Sequence, residues 1–109
     1  AVGVRRAKEI ILSGKPFTAD EACEWGILNS VCDDDKLMEE TLGIARKICD
    51  NAPISTRQAK KSMNIATQTD LKTGYAFEIE AYNRMVPTED RLEGVRAFNE
   101  KRKAQFKGR

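Results

Sequence analysis

The last nineteen residues, Arg91 to Arg109, hold the side chains best suited to binding chemistry. Seven are basic (Arg91, Arg96, Lys101, Arg102, Lys103, Lys107 and Arg109) and two are acidic (Glu93 and Glu100), a net of +5 in a chain whose total is only +2. The first ninety residues therefore carry a net of −3. Phe98 and Phe106 are interleaved with the cations. A ring one helical turn from an ammonium group suits a ligand that joins a flat base to a phosphate. The competing reading is a solvated helix end whose cations complement the helix dipole.

Catalytic chemistry is sparser. The chain has no histidine, hence no imidazole base and no Ser-His or Cys-His pair, and it has no glycine-rich phosphate loop or Gly-x-Ser-x-Gly elbow. Acid–base work would fall to carboxylates, of which fifteen of the seventeen precede residue 91. Most stand at helix starts or on charged faces: Asp33-Asp34-Asp35, Glu39-Glu40 and Glu89-Asp90. Those are capping and solvation positions, and no self-contained active site is visible. Cys23, Cys32 and Cys49 are odd in number and lack Cys-x-x-Cys spacing, so they read as reduced thiols rather than a zinc site.

The elements that must position these groups are helices. A chain of 109 residues, 40% hydrophobic and 33% charged, allows one helical domain with a modest core. No apolar run approaches the roughly 18 residues of a membrane span, and Ala1 to Arg6 lack the order of a signal peptide. A cytoplasmic location is the expectation. Val2, Ala7, Ile10 and Ile11 form a helical stripe that stops at Ser13-Gly14, with Pro16 beyond. Thr18-Ala19-Asp20-Glu21 is a capping box opening a short helix through Ala22 and Trp25. Trp25 and Cys49 read as core residues.

Ile27 to Val31 is expected to be a brief extended strand, and it has no partner strand in the sequence. Met38, Leu42, Ala45, Ile48 and Cys49 then recur at helical spacing. Pro53 opens the next helix, lined by Ala59, Met63 and Ala66. Asp70 caps a long helix with the stripe Leu71, Tyr75, Ile79, Tyr82 and Val86, which Pro87 ends. Thr88 caps the last helix, whose Leu92, Val95 and Phe98 are expected to face inward. The fold class expected is mainly all-α, about six helices with one orphan strand. With nothing to pair that strand, the chain reads as a piece of something larger.

Several short motifs in register resemble the enoyl-CoA hydratase/isomerase (crotonase) family. They are Gly3 followed by Ala7, Leu12-Ser13-Gly14-Lys15, Ala19-Asp20-Glu21-Ala22 and Trp25-Gly26-Ile27-Leu28. Asn51-Ala52-Pro53, Ala59-Lys60 and Asn64 follow. Thr88-Glu89-Asp90-Arg91-Leu92-Glu93-Gly94, Ala97-Phe98 and Glu100-Lys101-Arg102 resemble the family's closing signature. The resemblance covers essentially the whole chain.

The resemblance implies the C-terminal helical, oligomer-forming part of such an enzyme. The glutamates and the oxyanion hole of the family lie in an upstream ββα core and have no counterpart here. Residues 1–33 would end the core-packing region, and 34–109 would form the region that associates subunits and closes the coenzyme A (CoA) site. By position, Phe98 and Lys101 would meet the adenine and 3′-phosphate end of CoA, and Tyr82 would border the acyl pocket. No catalytic residue and no metal ligand is assigned. The implied substrate is a CoA thioester, with no tightly bound cofactor. Implied partners are acyl-CoA and further copies of the chain, a trimer or hexamer in the complete protein, with the mitochondrial matrix as the location in a eukaryote. The alternative is a small helical interaction module whose basic tail binds a polyanion such as RNA.

Overall fold

Caps and turns in the sequence set the helix boundaries. The computed structural model describes all residues, Ala1–Arg109, and its regular structure is entirely helical. The elements are α1 (Gly3–Ser13), α2 (Ala19–Glu24), a single 3₁₀ turn (Asp34–Lys36), α3 (Leu37–Cys49), α4 (Pro53–Ala66), α5 (Leu71–Met85) and α6 (Glu89–Asn99). Residues Ala1–Glu40 and Thr41–Arg109 form two compact units.

In the first unit, α1 ends at Gly14, whose φ of 60° is the left-handed conformation that glycine adopts without penalty. The capping box at α2 forms as expected. The Thr18 hydroxyl accepts from the amide of Glu21 at 3.1 Å, and the Glu21 carboxylate accepts from the amide of Thr18 at 2.8 Å. That second bond holds the Glu21 carboxyl below its ordinary range. Trp25 is half-buried. It packs against Phe17 at 5.2 Å between ring centroids, and the guanidinium of Arg6 lies 4.9 Å over its ring.

The strand expected at Ile27 to Val31 does not form. Helix α2 instead closes in a Schellman turn: Gly26 at φ 75° donates to the carbonyl of Cys23, and Ile27 donates to that of Ala22, both at 2.9 Å. Leu28 adds a third bond to Ala22 at 3.3 Å. The amides of Ile27 and Leu28 are thus consumed by the helix end. The extended run expected from the sequence gives way to the turn chemistry of Gly26.

In the second unit, Pro53 sits in the first turn of α4, where its missing amide is no loss. Asp70 caps α5, accepting from the amide of Thr73 at 3.0 Å, and Thr88 caps α6, accepting from that of Arg91 at 3.2 Å. Helices α4 and α5, joined by the short link 67–70, pack on each other as a hairpin.

The faces in contact differ from the expected ones. On α5 the covered side is Gly74, Phe77, Ala81 and Met85, and on α4 it is Ser55, Gln58, Ser62 and Ile65. Small residues allow two helix backbones to approach, and the rule of large apolar stripes overlooks them. Ala59, Met63 and Ala66 are exposed, as is Cys49. Across the chain only Ala22, Ala81, Ala97 and Asp90 are buried. Leu92, Val95 and Phe98, expected to point inward, are 58%, 54% and 83% exposed.

Candidate functional site

The candidate site is the C-terminal end of α6 together with the tail that follows it. The helix stops at Asn99, with Glu100 as its cap. Lys101 donates from its amide to the carbonyl of Phe98 at 3.2 Å, and Arg102 donates to that of Ala97 at 3.0 Å. This is again the Schellman pattern of α2. Here the left-handed position is filled by lysine, at φ 54°, the one non-glycine residue of the chain with positive φ. A side chain in that conformation costs roughly 1–2 kcal/mol.

Phe98 and Lys101 therefore do not share a helix face, which was the geometry their three-residue spacing implied. They are joined through a turn, by backbone. Phe98 presents its ring to solvent, and Lys101 makes no ion pair. Tyr82, on α5, is 52% exposed and makes no side-chain hydrogen bond. The chain's cation–π contact lies elsewhere, between Arg6 and Trp25.

Glu93, Arg102 and Asp90, which lie in the closing signature but are given no role by it, organise the turn and the tail. Glu93 receives a two-pronged bond from Arg102, Nη1 to Oε1 at 2.6 Å and Nη2 to Oε2 at 3.0 Å, and also accepts from the amide of Gln105 at 2.9 Å. Arg102 reaches Glu100 through Nε at 2.6 Å and the Lys103 carbonyl through Nη1 at 3.2 Å. Asp90, only 2% exposed, accepts from the amides of Lys107 and Gly108 at 2.6 and 2.7 Å. Its own amide donates to the carbonyl of Arg109 at 3.1 Å. The separations of nine to eighteen residues fit no helical rule. The only signal in the sequence was an excess of acids at the start of α6 and of bases after it.

The tail's charge is thus partly spent within the chain. Arg102 pairs with Glu93 and Glu100, Lys103 with Asp50 at 2.9 Å, and Arg109 with Glu89 at 3.1 Å. Arg91, Arg96, Lys101 and Lys107 remain without an acidic partner. No group of histidine, cysteine and acidic side chains is placed to hold a metal ion. No helix is long and apolar enough to cross a membrane.

The bonds from Arg102, and then that from the amide of Gln105, pull the Glu93 carboxyl from its ordinary 4.5 to about 2. Because the folded value is the lower one, the contribution to stability is complete above pH 4.5 and disappears as pH falls toward 2. Acid titration of thermal stability should show this loss, and Glu93→Gln should flatten that part of the profile. Identical slopes for the two proteins over that range would contradict the assignment.

The family model for enoyl-CoA hydratase/isomerase matches residues 1–109, and the chain belongs to that family. It is 39% identical over 109 residues to the short-chain-enoyl-CoA hydratase of Clostridium acetobutylicum, covering 99% of this chain and 42% of the relative. It is 37% identical to human mitochondrial methylglutaconyl-CoA hydratase, covering 99% of this chain and 33% of that protein. The crystal structure of an enoyl-CoA hydratase from Bacillus anthracis superimposes with a TM-score of 0.95 at 44% identity, over 99% of this chain and 42% of that one. The chain spans between a third and about two-fifths of the length of these relatives.

Proposed function

We propose that this chain is the C-terminal helical part of an acyl-CoA hydratase/isomerase whose complete form adds water to a trans-2-enoyl-CoA, giving the 3-hydroxyacyl-CoA. In this reading residues 1–33 pack against the remainder of the enzyme. Residues 34–109 associate subunits, in a trimer or hexamer, and close the CoA site. Phe98 meets the adenine, Lys101 the 3′-phosphate, and Tyr82 borders the acyl pocket. The substrate is a CoA thioester and no tightly bound cofactor is required. The compartment is the cytoplasm, or the mitochondrial matrix in a eukaryote. Relatives named as hydratases for short-chain enoyl-CoA and methylglutaconyl-CoA support the reaction class.

The observation that carries the binding role is a phenylalanine 83% exposed at a helix end, one turn from a lysine without an ion-pair partner. A bare ring there is costly in water and useful against a flat base. The polyanion alternative has less to stand on, because three of the seven tail cations are already paired within the chain.

In the complete protein, Lys101→Ala should raise KM for an enoyl-CoA up to about fivefold, the worth of an exposed ion pair, and leave kcat unchanged. A contact made equally in ground and transition states affects binding alone. Phe98→Ala should act in the same direction. If both variants keep the original KM, neither residue touches CoA.

A further inference from the structure

Two helices of this chain end in the same turn, but they meet its conformational demand differently. In α2 the left-handed residue is Gly26, and the side chain that follows, Ile27, makes no polar brace. In α6 the left-handed residue is Lys101, and the side chain that follows crosses back over the turn. Arg102 ties Glu100 before the lysine, and the Lys103 carbonyl after it, to Glu93 on the body of the helix. Glu93 also takes the amide of Gln105. Residues on both sides of Lys101 are therefore fixed to one carboxylate, while the ammonium of Lys101 is left unpaired. An extended side chain on a mobile loop points its charge over a wide volume. A braced turn restricts where that charge can be.

We infer that Glu93 is a positioning residue: through the two-pronged bond to Arg102 it holds the turn that directs Lys101 at the phosphate on the nucleotide end of CoA. The inference rests on the proposed contact between Lys101 and that phosphate and adds the residue that aims it. A planar guanidinium fork is needed for the task, because a lysine at 102 keeps the charge but cannot engage both carboxylate oxygens. Glu93 itself touches no substrate.

The test compares crotonyl-CoA with 3′-dephospho-crotonyl-CoA as substrates of the complete protein. The ratio of their KM values reads the phosphate contact, and a general loss of stability does not move it. In the unaltered protein the ratio is expected to reach about fivefold in favour of the 3′-phosphorylated ester. Lys101→Ala should bring it to one. Glu93→Gln and Arg102→Lys should each lower it most of the way, with kcat retained, and neither should lower it further when added to Lys101→Ala. Arg102→Lys keeps the assay decisive if Glu93→Gln fails to fold.

A ratio unchanged by Lys101→Ala would remove the proposed phosphate contact, and with it the inference. A ratio lost in Lys101→Ala but intact in Glu93→Gln and Arg102→Lys would leave the contact standing and overturn the inference alone. So would a fall in the ratio in the double variants beyond that of Lys101→Ala.

Discussion

Asp90→Ala is expected to release the C-terminal tail and lower stability by roughly 3 kcal/mol. Asp90 is 2% exposed, and its carboxylate takes two amide hydrogens from residues 107 and 108, seventeen and eighteen positions away in sequence. Bonds to a charged acceptor contribute about 1.5–3 kcal/mol each, and truncation strands both donors. The loss is capped because the tail can swing out and let water take the orphaned amides. Asp90→Asn keeps one carbonyl acceptor and should lose about half as much. Hydrogen exchange of the C-terminal peptide, with a denaturant melt alongside, measures both effects. Unaltered protection of residues 107 and 108 in Asp90→Ala would show that the tail is held by something else.

The second large effect concerns association. Along α5, Leu71, Tyr75, Ile79, Tyr82 and Val86 follow one another at helical spacing, between 38% and 72% exposed. Val4, Ile11 and Leu12 on α1, and Met38, Leu42, Ile44 and Ile48 on α3, are similarly bare. Covering one such side chain completely is worth roughly 1.5–3 kcal/mol, and monomers rarely leave contiguous patches of this kind in water. The 109-residue chain alone should therefore form dimers or trimers at micromolar concentration. Ile79→Lys, at the middle of the α5 face, should shift the population toward smaller species. Light scattering coupled to size exclusion decides the matter. A steady 12.2 kDa particle across a dilution series would refute the expectation.

What could be read from the sequence was what local chemistry encodes. The capping box at Thr18, Pro53 at a helix start, the Asp70 and Thr88 caps and the stop at Gly14 all concern bonds within a few residues. The same locality explains the errors. Ile27 and Val31 favour extended backbone, but the first two amides of that run answer to the Ala22 carbonyl of α2. The large apolar residues of α5 do line up as a stripe, yet the covered side is the one with Gly74 and Ala81. For the candidate site, Phe98, Lys101 and Tyr82 were proposed from family position. The brace that shapes Lys101's surroundings is anchored on Glu93 by Arg102 and Gln105, nine and twelve residues away. Its acids and bases were indistinguishable, in one dimension, from solvated charge.

The bonds from Asp90 to the tail have a consequence for how this region tolerates change over time. Both are made by peptide amides, which every amino acid except proline supplies, so this last stretch of the tail is anchored without calling on the side chains at 107 and 108. Position 107 can drift through almost any side chain, its lysine included, provided proline is kept out. Position 108 is narrower, because its φ of 77° favours glycine. Variation should therefore accumulate at 107, while 90, which supplies the acceptor, and 108, which supplies the positive φ, change rarely.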